Sequence, residues 1–219
     1  MEDIEMNAVI IAGGDIKNYE AIRKYFDMAK LIICADSGVD HVFNMQIVPD
    51  LVVGDMDSIS HESLKKLKEL GIPKYDYPKE KDFTDTELAL EVALEKGVKK
   101  AVLLAGIGDR PDHSLANIFL MVYFKNKGLE LKLAGEKWEM FLIEGDKQLL
   151  GKKDDILSLI PISPEAVDVE TKGLYYPLKK ETLPMGPARG ISNVFLGKTA
   201  NVKVKQGMLL GIHITMPDN

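Results

Sequence analysis

Leu51-Val52-Val53-Gly54-Asp55-Met56-Asp57-Ser58 joins an apolar strand, Leu51 to Val53, to a glycine turn carrying two carboxylates one residue apart. On a strand, residues i and i+2 project to the same side, so Asp55 and Asp57 are expected to face one pocket. Two neighbouring carboxylates repel each other and are costly to bury. A divalent cation removes that cost, and carboxylate oxygens suit Mg²⁺, which keeps waters and substrate phosphates in its shell. Taken alone, the stretch reads equally well as a polar turn in which Asp57 or Ser58 starts the next helix.

Similar punctuation recurs on both sides. Upstream, Ala8 to Ala12 is an apolar strand closed by Gly13-Gly14, and Leu31 to Ala35 is another, ending in Asp36-Ser37-Gly38. Between them, Tyr19 to Ala29 has helical spacing. Downstream come a helix over Ser60 to Leu70, a short polar strand from Lys74 to Pro78, a helix over Thr84 to Lys96, the apolar strand Ala101 to Ile107, a helix over Asp112 to Lys127 and a strand around Leu131 and Leu133. Strand and helix alternate, which implies a parallel sheet with helices on both faces. Ligands in such sheets sit beyond the carboxyl ends of the strands, where the polar turns fall. Beyond about residue 137 no long helical period remains. Short runs separated by turns such as Glu144-Gly145-Asp146 read as strands of a small antiparallel sandwich. The expected fold class is therefore α/β over residues 1–136, an N-terminal parallel-sheet domain, followed by a C-terminal antiparallel β-sandwich over 137–219.

Of the 219 residues, 46% are hydrophobic, enough for a substantial core and against disorder. The net charge of −6 and the lack of a basic stripe argue against nucleic acid as a partner. The single cysteine, Cys34, allows no intrachain disulfide or thiolate zinc site and reads as a core residue. The acidic Met1-Glu2-Asp3-Ile4-Glu5 lacks the layout of a signal peptide, and no apolar run approaches the ~20 residues of a membrane span. The expected setting is cytoplasmic, with no membrane contact.

Two more stretches bear chemistry. Lys79-Glu80-Lys81-Asp82-Phe83-Thr84-Asp85-Thr86-Glu87 leads into a helix with a capping box at Thr84 and Glu87. Helix N-termini attract anions, Lys79 and Lys81 can neutralise phosphate there, and Asp82 and Asp85 can join Asp55 and Asp57 around a metal. Capping by Thr84 and Glu87 is the simpler account and is compatible with the first. In Gly108-Asp109-Arg110-Pro111-Asp112-His113-Ser114-Leu115-Ala116-Asn117, His113 and Asn117 share a helix face and Arg110 can fork a phosphate. The plainer alternatives are a surface ion pair for Arg110, an N-cap for Asp112 and a carbonyl partner for His113.

In these motifs, Gly54 to Ser58, Lys81 to Glu87 and Arg110 to Asn117, with a weaker fourth at Gly190-Ile191-Ser192-Asn193, the chain resembles the thiamin pyrophosphokinases along nearly its whole length. The resemblance implies transfer of diphosphate from ATP to the hydroxyl of thiamin, giving thiamin diphosphate and AMP with Mg²⁺. It also implies a homodimer whose thiamin sites involve both subunits. Carried over motif by motif, it implies Asp55, Asp57 and Asp85 as metal or phosphate-site acids with Asp82 close behind, and Lys81 and Arg110 as phosphate contacts. Thr84 and Asn117, with Asp36, Ser37, Ser58, Asp112 and His113, are the expected nucleotide-binding groups; Ser192 and Asn193 are the expected thiamin contacts. Relatives often carry Gly-Gly-Arg where this chain has Gly108-Asp109-Arg110. Some stack thiamin on a C-terminal tryptophan, whereas the one tryptophan here is Trp138. Rival functions are diphosphate or phosphate transfer to another alcohol, metal-dependent phosphohydrolysis, and non-catalytic sensing of thiamin or nucleotide.

Overall fold

A computed structural model describes residues 8–77 and 82–217. The chain separates into two compact units, Met1–Glu136 and Lys137–Asn219.

In the first unit, strands β1 (Ala8–Ile11), β2 (Ile32–Ala35), β3 (Leu51–Gly54), β4 (Lys74–Asp76), β5 (Lys100–Leu104) and β6 (Glu130–Ala134) pair in parallel in the order β6-β5-β1-β2-β3-β4. Strands β1, β2, β3 and β5 are short and mostly apolar because both faces are covered, whereas the edge strand β4, Lys-Tyr-Asp, is exposed. Val9, Ile11, Cys34, Val52, Val102 and Leu104 point to one face. They pack there with Ile22, Tyr25 and Phe26 of α1 (Tyr19–Asp27), with Val39, Val42 and Phe43 of α2 (Gly38–Asn44), and with Leu67 of α3 (His61–Leu70). Alternation sends Ile10, Ile33 and Leu103, all fully buried, to the opposite face. On that side α4 (Asp85–Glu95) packs on β1, β2 and β3, and α5 (Pro111–Asn126) packs on β6 and α4. The parallel sheet flanked by helices is the arrangement expected from the alternation of periods.

The chain winds from β1 outward to β4, then returns across β1 to add β5 and β6. The strand order thus reverses at β1, and the crevice beyond the carboxyl ends of β1, β2 and β5 is where such a sheet takes its ligand.

The second unit is antiparallel throughout. Strands β7 (Trp138–Leu150) and β12 (Thr199–Ile214) pair along most of their length. The first half of β12 also pairs with β9 (Glu165–Lys172), which carries β10 (Lys179–Pro184) at its other edge. The second half pairs with β8 (Ile156–Pro161), whose other edge holds the two-residue β11 (Asn193–Val194). A break in register between Val204 and Leu209 lets one long strand serve both sets of partners. Phe141, Ile143, Leu157, Leu159, Val169, Phe195, Val202 and Leu209 lie in the shared core.

Three elements depart from the sequence expectation. Helix α2 follows Ser37 directly, where only a polar turn was expected, because a seven-residue helix is too short to show a clear period. The turn expected at Glu144-Gly145-Asp146 is a bend inside β7: Gly145 takes a left-handed φ of 67° and stays paired with Val204. Strand β10 carries no strand signal in the sequence because Lys179–Pro184 is mostly polar, as an edge strand can be.

Candidate active site

The ends of β1, β2 and β5, with the start of α4 and α5, enclose a cleft of about 590 Å³. Its lining includes Gly13, Gly14, Asp36, Ser37, Asp55, Thr84, Asp85, Arg110, His113 and Asn117. Asp82 is exposed and stands outside that lining, as do Asp57, Ser58 and Asp112. Lys79 and Lys81 lie outside the described residues.

The carboxylates converge, though not by strand alternation. Strand β3 ends at Gly54. Met56 then turns into the left-handed region (φ 63°), and the Asp57 amide donates to Asp55 Oδ1 at 3.2 Å. This local turn brings one oxygen each from Asp36, Asp55 and Asp57 within 4.8 Å of one another. Asp36 is thus the third member of the cluster, contributed by the end of β2. It also sits in the left-handed region (φ 47°), which aspartate tolerates better than most residues. Asp85, the first residue of α4, stands over the Gly54 backbone: a Cβ on Gly54 would meet Asp85 Oδ1 at 3.0 Å and Asp36 Cβ at 3.2 Å. With φ at +145°, Gly54 is held to glycine by conformation and by space alike.

The electrostatics of the cluster are unbalanced. Asp36 is half-buried; desolvation, followed by repulsion from Asp85, Asp55 and Asp57, pushes its pKa above the ordinary aspartate value. The Ser58 hydroxyl, which donates to Asp36 Oδ2, pulls the other way. Asp36 Oδ1 is buried and has no hydrogen-bond partner among the described residues. A solvent-shielded oxygen without a donor, beside two further carboxylates, is a set of hard oxygen ligands, and it fits Mg²⁺.

The walls are braced by groups the sequence did not reveal, His41 and Tyr19 among them, and by two it did, the Thr84 cap and an exposed ion pair at Arg110. His41 Nε2 lies 2.8 Å from the Gly14 carbonyl and Nδ1 lies 2.9 Å from the Tyr19 hydroxyl. Burial holds the His41 pKa below its usual value, keeping the ring neutral. A carbonyl can only accept, so Nε2 carries the proton and Nδ1 accepts from Tyr19. The Gly14 amide in turn donates to the carbonyl of Ala105 (3.1 Å), itself left-handed at φ 53°. Asn117 is buried and donates from Nδ2 to the Gly106 carbonyl at 2.7 Å, while the Gly108 amide donates to the Ser114 hydroxyl at 3.1 Å. Thr84 caps α4 by accepting from the Glu87 amide at 3.2 Å, as the capping box requires. Arg110 forks Asp112, Nε to Oδ1 at 3.1 Å and Nη2 to Oδ2 at 2.6 Å. That hydrogen bond holds Asp112 down at about 2. Helix α5 opens with Pro111 at its first turn, and Arg110 occupies the cap position without a capping side-chain bond.

In the second unit the segment Gly190–Asn193 is pinned to β8. The Gly190 carbonyl accepts from the Leu159 amide (2.9 Å), and the Ser192 amide donates to Ser158 Oγ (3.0 Å). Ser192 is exposed and left-handed at φ 57°. Asn193 is buried, and its amide is engaged with backbone: Oδ1 accepts from Tyr176 N and Val194 N, both 2.9 Å, and Nδ2 donates to Tyr176 O at 2.6 Å.

Comparison with known proteins covers both units. The family model described as "Thiamin pyrophosphokinase, catalytic domain" matches residues 22–133, and that described as "Thiamin pyrophosphokinase, vitamin B1 binding domain" matches residues 143–209. A thiamine pyrophosphokinase of Bacillus subtilis (strain 168) is 27% identical over 208 residues, covering 94% of this chain and 97% of its own. Thiamine pyrophosphokinase 1 of Oryza sativa subsp. japonica is 25% identical over 206 residues, covering 81% and 76%. The crystal structure of a Bacillus subtilis thiamine pyrophosphokinase superposes with a TM-score of 0.86 at 25% identity, over 96% of this chain and 100% of that one. Thiamin pyrophosphokinase from Candida albicans shares the fold at 16% identity, with a TM-score of 0.81 over 96% and 91%. From the carboxylate cleft at the strand ends to the last strands of the sandwich, this chain belongs to the thiamin pyrophosphokinase family.

Proposed function

We propose that this family member, which converts thiamin to thiamin diphosphate using ATP, binds the triphosphate in the strand-end cleft of its first unit and releases AMP. The observation carrying this is the carboxylate cluster of Asp36, Asp55 and Asp57, with one buried oxygen unpartnered among the described residues, at the carboxyl ends of the neighbouring parallel strands β2 and β3. Asp36, Asp55 and Asp57 would hold Mg²⁺, with Asp85 adding negative charge beside them. Bound there, the cation supplies charge neutralisation for the phosphates. Phosphoryl-type transfer is won by positioning and by neutralising charge. The chain's own groups then do the following. Arg110 exchanges Asp112 for a phosphate, because a guanidinium fork matches both partners. Lys81 is a further phosphate contact by motif. Asn117, Ser114 and His41 fix the loops against which the nucleotide lies. Thr84, Ser37 and His113 offer it polar contacts, with Asp82 near the same helix start. An aspartate of the cluster accepts the proton of the attacking hydroxyl. Ser192 marks the thiamin side on the second unit.

The active form is a homodimer with sites built from both subunits, acting in the cytoplasm. No described helix is long and apolar enough to cross a membrane.

Incubating purified protein with ATP, Mg²⁺ and thiamin is expected to yield AMP and thiamin diphosphate in equal amounts. ADP in place of AMP, nucleotide breakdown without any acceptor, or binding of both ligands without product would each sink this reading, in favour of a kinase, a phosphohydrolase or a sensor respectively.

A further inference from the structure

The loop after β1 is held at more points than a link between a strand and a helix requires. Gly13 and Gly14 thread past the residues that follow β2 and β5. A Cβ on Gly13 would meet Ser37 Oγ at 2.2 Å, and one on Gly14 would meet the Ala105 carbonyl oxygen at 2.4 Å. The Gly14 amide donates to that same carbonyl (3.1 Å), and the Gly14 carbonyl accepts from His41 Nε2 (2.8 Å). Ile16 packs against the core of the first unit. Further on, Glu136 Oε1 accepts from the amides of Lys17 (2.7 Å) and Asn18 (2.8 Å). The His41 contact ends a directed chain: Asn44 Nδ2 donates to the Tyr19 hydroxyl (3.3 Å), the hydroxyl donates to His41 Nδ1 (2.9 Å), and Nε2 donates to Gly14. Hydrogen bonds in such a chain polarise one another.

One amide of this loop is left over. The Asp15 N–H has no hydrogen-bond partner among the described residues. The Gly14–Asp15 peptide is trans, and in a trans peptide the C=O and the N–H point in opposite directions. The Gly14 carbonyl is turned to His41 on α2, so the Asp15 amide is turned away from His41. Gly14 and Asp15 both line the cleft, beside β1, where the strand order reverses. Arg110 is the only lysine or arginine among the described residues of that lining, and a polyanion needs further donors. We propose that the Asp15 backbone amide donates to a phosphate of ATP, and that His41, by holding the Gly14 carbonyl, is the residue that positions it. The reverse orientation of this peptide would present a carbonyl, which repels phosphate. The Asp15 carboxylate is exposed, where solvent screens its charge. The assignment rests on ATP binding in the strand-end cleft proposed above, and adds an uncharged donor to it.

Equilibrium binding of ATP with Mg²⁺ to the full chain, measured by calorimetry without thiamin, tests it. His41→Phe keeps the bulk of the ring and removes the donor. Its ATP Kd should rise about tenfold, the scale of one hydrogen bond lost, with the thiamin KM within about twofold of wild type. His41→Gln, which carries an amide donor, should recover most of that loss. Inorganic tripolyphosphate should show the same rise as ATP, because the amide faces phosphate and not the base. Tyr19→Phe should weaken ATP in the same direction by about two- to threefold, since it interrupts the chain and leaves His41 in place. Three results overturn the assignment: an unchanged ATP Kd in a folded His41→Phe protein, a His41→Gln protein as impaired as His41→Phe, or a loss seen with ATP but not with tripolyphosphate. If His41→Phe does not fold, Tyr19→Phe decides, and an unchanged ATP Kd there overturns it equally. A wild type that binds ATP yet forms no AMP with thiamin defeats the functional reading instead, and leaves the binding comparison standing.

Discussion

Two aspartates in this protein, Asp36 half-buried and Asp155 fully buried, have pKa values shifted in opposite directions. Asp36, in the cleft of the first unit, faces three other carboxylates, keeps one buried oxygen unbonded among the described residues, and has its pKa raised. Asp155, in the second unit, is 1% exposed, and burial alone would raise it too. It nevertheless stays below the ordinary aspartate value. The amides of Met216 (3.0 Å) and Lys152 (2.9 Å) and the ring of His213 (2.9 Å) all donate to it. The same side chain is a stabilising anchor where donors surround it and a source of strain where acids do. Strain of that kind is tolerated at sites that bind something, and left-handed Asp36, Met56 and Ala105, each at or just past the end of a strand, belong with it.

The largest effect should come from removing a charge in the first region. Asp36→Asn is expected to cut turnover by roughly 10²–10³-fold or more, the scale of losing one preorganised electrostatic group. Without metal the same variant should unfold no more easily than wild type, and a gain is expected to be small because the half-exposed group is screened by solvent. Turnover assays paired with thermal unfolding in chelator check both halves. A variant that is inactive only because it is unstable would erase the contrast.

Asp155→Ala should do the reverse. Stranding the donors of Met216, Lys152 and His213 should cost about 2–4 kcal/mol, read as a lower midpoint in urea unfolding, while the thiamin-independent binding of ATP in the first unit persists.

Next in size is Arg110→Lys. A point charge cannot fork a phosphate, so the ATP KM should rise about tenfold, which is ~1.4 kcal/mol, with stability unchanged because the Arg110–Asp112 pair is exposed.

Acid titration sharpens the comparison with the smallest signal. Asp155 has a lowered folded pKa, so its stabilisation is full above the unfolded value of about 3.9 and is lost only as pH falls through the folded value. Asp36 has a raised pKa, so protons should compete with the cation at a pH where an ordinary aspartate is still ionised. The acid limb of Mg²⁺-dependent turnover should therefore lie above the acid unfolding of the second unit. Coincident midpoints in activity and circular dichroism would show that the two aspartates are not shifted in opposite directions.

Much of this was legible in the chain itself. Apolar strands closed by Gly13-Gly14, Asp36-Ser37-Gly38 and Gly54-Asp55, alternating with helical periods, determine a parallel sheet with its polar turns along one rim, because period and punctuation are local properties. Thr84 and Glu87 announce a helix start for the same reason. Tertiary structure alone decided which acids meet. Asp36 joins Asp55 and Asp57 because β2 and β3 are neighbours in register, Ala35 opposite Val53, and because Met56 turns left-handed. It also decided that Asn193 is a buried brace, that His41 holds Gly14, and that β7 runs on through the apparent turn at Gly145. Each depends on a partner distant in sequence, and a single chain records the side chain but not the group that comes to face it.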